Sequence, residues 1–156
     1  MKKFFPFIVF LIIIFSNITT VHSIEADVFV QSTVNRAAQT LSGNLSKEKR
    51  IQILKEIAKD TVDIDGLAFY SLGVHKKNLA KEQITEYKKV FEEYFLKSFS
   101  SRLAEYSNPE IRVDSKKIIN KNYTMVSSTL VATDTRPAVI IEWRVYTKDR
   151  ENLLIR

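Results

Sequence analysis

The chain has 156 residues, 24 Lys or Arg against 18 Asp or Glu for a net charge of +6, three glycines, three prolines and no cysteine. This length fits a single domain, and the absence of cysteine excludes disulfides, cysteine nucleophiles and structural Cys–zinc sites. A mildly basic surface suits solvation or anionic lipid head groups.

The first 23 residues read as a secretory leader. Lys2 and Lys3 form a basic start, "FFPFIVFLIIIF" is an apolar block of 12, and "SNITTVHS" ends in small Ser23 with Val21 two positions before it. The block is short of the ~20 apolar residues of a membrane span, and Asn17, Thr19 and Thr20 break its continuation. Cleavage after Ser23 leaves residues 24–156 as one exported domain and removes Lys2 and Lys3. Export also argues against nucleic acid as a partner.

The elements that follow are first helical, then extended. In "DVFVQSTVNRAAQTL", Val30, Val34, Ala37, Ala38 and Leu41 recur at helical spacing, and Gly43 and Asn44 stop the run. Ser46 is placed to cap a second helix, whose core positions are Ile51, Leu54 and Ile57 or Ala58. "DIDGLAFYSLGVHKK" predicts a shorter third helix. Gly73, late in it, either ends it or admits a close backbone. The fourth helix, residues 81–106, is ~39 Å long at 1.5 Å per residue. Its face carries Ile84, Tyr87, Phe91, Tyr94 or Phe95, Phe99, and Leu103 or Tyr106, and "SNP" terminates it.

From residue 110 the period changes to two. "EIRVDSKKI", "NYTMVSSTLVATDT", "AVIIEWRVYTK" and "NLLIR" read as strands separated by turns at "DTRP" and "KDREN". In the third, Val139, Ile141, Trp143 and Val145 share one face. Helices followed by strands predict an α+β fold, in which N-terminal helices pack on a twisted, mostly antiparallel C-terminal sheet. The aromatic face of the long helix is expected to lie on the apolar face of that sheet. Bulky groups on both layers either fill a core or prop the layers apart around an apolar pocket, and periodicity leaves both open.

Catalytic groups are hard to assemble. Beyond the leader His75 is the only histidine, in "GVHKKN" without a nearby acid. There is no G-x-S-x-G, no G-x-G-x-x-G and no Walker-type loop. Asp63 and Asp65 are explained by a helix N-terminus. The expectation is no enzyme, no catalytic residue, no cofactor and no metal.

The segment "VDIDGLAFYSLGVHKKNLAKEQITEYKKVFEEYFLKSFSSRLAEYS" resembles the MlaC, or toluene-tolerance, family of periplasmic lipid-binding proteins. Asp63, Leu72, Gly73, Glu82, Gln83, Phe91, Tyr94, Phe95, Phe99, Leu103 and Tyr106 carry the resemblance, and "DTRPAVIIEWRVY" is similar to the family's paired strands. Departures are His75 and Lys76, where the family often has an aromatic, and Ala80 and Lys81, where it often has Thr-Pro or Ser-Pro. The chain also ends at Arg156, before the family's C-terminal helices, so it is expected to lack a C-terminal part.

The resemblance implies a periplasmic phospholipid carrier that shuttles lipid between outer and inner membranes. Its implied partners are an inner-membrane ABC transporter complex and an outer-membrane lipoprotein complex, a system serving outer-membrane asymmetry. The expected pocket lining is Leu67, Leu72, Phe91, Phe95, Phe99, Val139, Ile141 and Trp143. The alternatives are an exported, non-catalytic scaffolding module with an ordinary aromatic core, or a carrier of hopanoid or other polyprenoid lipid.

Overall fold

The first turn of each helix shows how local chemistry sets its limits. The computed structural model describes residues 24–156, so the leader, residues 1–23, lies outside the described residues. Helix α1 (Ala26–Ser42) buries Val30, Val34 and Leu41 on one face and stops at Gly43, whose N–H donates to the Gln39 carbonyl at 3.1 Å. Helix α2 (Lys47–Thr61) starts at Ser46, whose Oγ accepts the Lys49 N–H at 3.3 Å. Helix α3 (Ile64–Ser71) starts at Asp63, whose carboxylate accepts the Gly66 N–H at 3.0 Å and pairs with Arg156. Helix α4 (Lys81–Leu103) follows Ala80, which offers no side-chain acceptor. There Gln83 Oε1 reaches back to accept the Ala80 N–H at 2.9 Å.

The third helical segment divides in two. α3 ends at Ser71 and a 3-10 helix (Gly73–Lys77) follows. Gly73 has φ +54, and nothing lies within 4 Å of where a Cβ would stand. Its role is therefore conformational: it ends the helix by taking the left-handed form that other residues avoid. Gly73→Ala is expected to lower stability by about 1 kcal/mol, and Gly73→Asn by less, because asparagine tolerates this region better. Chemical denaturation of the two variants checks this.

Strands β1 (Ile111–Asn120), β2 (Tyr123–Leu130), β3 (Val139–Tyr146) and β4 (Leu154–Ile155) form one antiparallel sheet in the order β1-β2-β3-β4. The register sets Val126 beside Trp143, Ser128 beside Ile141 and Leu130 beside Val139. These side chains share the face turned to the helices. β4 returns to the helix layer: the Asp63 N–H donates to the Ile155 carbonyl at 2.9 Å.

The layers differ from the sequence expectation in one respect. α1, not α4, packs on β1 and β2, while α4 packs chiefly against α2 and α3. The reason is the depth of the apolar stripes. α1 buries Ala26, Val30 and Val34 with Val126, Val145 and Leu153, so its backbone can approach the sheet. The rings of Phe91, Phe95 and Phe99 instead pack against Ala58, Ile64 and Leu96, which holds α4 beside α2 and α3.

Charge fixes the start of α1 to β1. Lys116 hydrogen-bonds Glu25 and also Asp27, the latter at 2.9 Å. The Lys116 hydrogen bond holds the Asp27 carboxyl below its ordinary range, and the bonds to Glu25 and Asp27 hold the Lys116 ammonium above its own. A lowered carboxyl contributes stability above its unfolded pKa and loses it as pH falls through the folded value. A raised ammonium contributes below its unfolded pKa and loses it as pH rises through the folded one. Lys116→Met should therefore lower the melting temperature near neutral pH, and by progressively less as the pH falls below the ordinary carboxylate range. Thermal melts of both proteins across pH check it.

Candidate functional site

The buried apolar residues form three clusters rather than one. α1 and the sheet make the first, Leu41, Leu54, Ile57 and Ala104 the second, and Ala58, Ile64 and Leu96 the third. Between them lies an apolar cavity of about 190 Å³ that draws its walls from all three.

Val34, Ala37, Ala38 and Leu41 of α1 form one wall, and Leu54, Ile57 and Ala58 of α2 a second. Phe99 and Leu103 close the α4 side, with Tyr106 and Pro109 just beyond. The sheet supplies Ile111, Leu130, Val139, Ile141, Trp143 and Ile155. Alanines at 37, 38 and 58 matter because a small side chain on an otherwise large stripe leaves space that its neighbours cannot fill.

The polar groups of Thr33, Thr61 and Trp143 on the wall are already satisfied. Thr33 and Thr61 line the cavity, yet their hydroxyls donate to the Phe29 and Ile57 carbonyls of their own helices, at 2.9 and 2.7 Å. The Trp143 indole N–H donates to Ser128 Oγ at 2.8 Å, which fixes the ring on the sheet. No wall hydroxyl or indole N–H among these is left to recognise a polar guest, so the chamber suits hydrocarbon.

Of the residues singled out in the sequence, Phe99, Val139, Ile141 and Trp143 stand together on the cavity wall. Phe91 and Phe95 do not. They continue a ladder along α4, with ring centroids 6.2 Å apart between Phe91 and Phe95 and 5.5 Å between Phe95 and Phe99. The ladder packs on α2 and α3, and only its last rung reaches the cavity. Leu67 lines a separate shallow groove with Phe69, Tyr70, Tyr123 and Arg144. Leu72 is buried at the end of α3. The α1 and α2 walls were read in the sequence as ordinary core; the alanines on their stripes are the signal that marks them.

The cavity opens at one end. Val139 is 46% exposed, and it is shared, with Tyr106, Pro109 and Leu130, between the cavity and a more polar groove of about 470 Å³. Among the described residues no His, Cys, Asp or Glu group is placed to hold a metal, and no helix is long and apolar enough to cross a membrane.

The family model described as MlaC protein matches residues 30–155. The chain belongs to the MlaC family. Among solved structures, a phospholipid-binding protein from Ralstonia solanacearum, determined in complex with a phospholipid at 1.53 Å, is similar to it with a TM-score of 0.69 at 15% identity. The match covers 85% of this chain and 75% of that one, and at this identity the likeness is one of fold. That shared fold has helices first and an antiparallel sheet second. No curated protein matches the sequence.

Proposed function

We propose that this MlaC-family chain is a phospholipid carrier, acting without covalent chemistry in the periplasm after removal of residues 1–23. The observation that carries this reading is the apolar cavity enclosed by α1, α2, the end of α4 and the sheet. Membership of the MlaC family and the phospholipid held by the Ralstonia protein support it.

The energetics explain why such a chamber is needed. Two acyl chains carry on the order of 30 methylenes, worth ~24 kcal/mol in bare water at ~0.8 kcal/mol each. A carrier substitutes an apolar lining for that water. We assign the lining to Phe99, Val139, Ile141 and Trp143 together with Val34, Ala38, Leu54 and Leu103. A cavity of about 190 Å³ is smaller than the roughly 300–1,000 Å³ of pockets that hold drug-sized ligands. Loading therefore requires the cavity walls to part.

In this reading the chain exchanges lipid with an inner-membrane ABC transporter complex and an outer-membrane lipoprotein complex. The test is transfer of a labelled phospholipid from donor to acceptor vesicles by the full, exported chain. Transfer that rises in proportion to protein concentration is expected. A rate equal to spontaneous exchange, with folded protein present, would overturn the carrier reading.

A further inference from the structure

The cavity and the neighbouring groove divide an amphiphile's chemistry between them. The cavity is apolar, whereas the groove beside it is lined by Thr133, Thr135, Arg136, Ser107 and Glu105. Tyr106 belongs to both, and the Arg136 guanidinium lies over its ring, 4.6 Å from the centroid. A fixed positive charge therefore stands at the line where the apolar wall ends.

Two further features leave that charge available. The turn between β2 and β3 holds Arg136 by its backbone: Thr133 N–H donates to the Arg136 carbonyl at 2.9 Å and Arg136 N–H to the Thr133 carbonyl at 3.3 Å. Its side chain takes no part in that pairing. The acid in the groove, Glu105, is held by Lys47 at 2.5 Å, and among the described residues Arg136 has no ion-pair partner.

We propose that this groove is a head-group subsite in which Arg136 reads the phosphodiester of a bound lipid, favouring phosphate-bearing amphiphiles over uncharged ones with the same acyl chains. The proposal rests on the carrier reading and names the selectivity of that same site. Guanidinium geometry suits two phosphate oxygens at once, and cation–π contact with Tyr106 limits the freedom lost when they bind. The acyl chains pass over Leu130, Val139 and Tyr106, which line both spaces, into the cavity, and the phosphate stays in the groove.

The experiment offers the full chain vesicles holding equal amounts of phosphatidylglycerol and a diacylglycerol of the same acyl chains. The protein is re-isolated, and its extracted lipid is quantified by mass spectrometry. The wild type is expected to favour phosphatidylglycerol. Arg136→Gln should shift the ratio about tenfold towards diacylglycerol while total loading persists, and Arg136→Lys by less. Circular dichroism confirms the fold of each variant. An unchanged ratio in Arg136→Gln would overturn the subsite and leave the carrier reading standing. Wild-type protein that takes up neither lipid would overturn the carrier reading and the subsite with it. In a parallel titration, saturable Arg136-dependent binding of inorganic phosphate to lipid-free protein, with no preference between the two lipids, would make the groove a free-anion site and overturn the proposal.

Discussion

Ala38→Trp is expected to keep the protein folded and to reduce its lipid load at least about tenfold. Ala38 faces the cavity from α1, opposite the sheet wall of Ile141 and Trp143. An indole added there enters space that is already empty, so it displaces the guest rather than neighbouring side chains. The same substitution in a filled core forces off-rotamer packing at a cost of typically 1–3 kcal/mol. The two situations therefore separate on two readouts. A true cavity gives an unchanged or higher melting temperature with lost lipid. A filled core gives a lower melting temperature. Ala38→Val fills less of the space and should give an intermediate loss of lipid at full stability. Thermal melts and lipid extraction on the same samples make the comparison.

The second large effect is expected at Phe95, and there it falls on stability. Phe95 is half-buried in the middle of the α4 ladder, stacked between Phe91 and Phe99 and packed against Ala58, Ile64 and Leu96. Phe95→Asp removes both stacks and sets a carboxylate among apolar side chains. Losing the ring alone costs about 3 kcal/mol at the low end of the range for Phe→Ala, the end that suits a half-buried position. The charge adds a desolvation cost. Lipid loss should therefore track unfolding, as read by chemical denaturation. A folded Phe95→Asp that fails to load lipid would instead place Phe95 on the cavity wall.

Phe95 and Phe99 also show how far the sequence could be read. Periodicity put both on one face of a long helix, and that face exists. It could not divide the face, because the division depends on which element each ring meets. Phe95 meets α2 and α3, whereas Phe99 sits one turn further along, where the gap to the sheet begins. The alternation of Val139, Ile141, Trp143 and Val145 was more decisive. A strand in a sheet has only two faces, and the one turned to the helices must be apolar. Three of those four line the cavity and Val145 is buried beside them.

The choice of helix that covers the sheet was not legible in the same way. The aromatic face of α4 was expected to lie on the sheet, yet close approach favours the smaller side chains of α1. Ala37, Ala38 and Ala58 carried the clue. Each sits on an apolar stripe where a larger residue would fill the core, and together they leave the space in which a guest can lie.

The most direct test of the carrier account is native mass spectrometry of the full chain expressed with export to the periplasm, followed by solvent extraction of whatever accompanies it. Circular dichroism on the same sample establishes that it is folded. The account predicts a discrete added mass that resolves to phospholipid. A folded protein that is lipid-free as isolated, and that stays lipid-free after incubation with phospholipid vesicles, would contradict it and make the apolar chamber a packing defect in an exported scaffolding module.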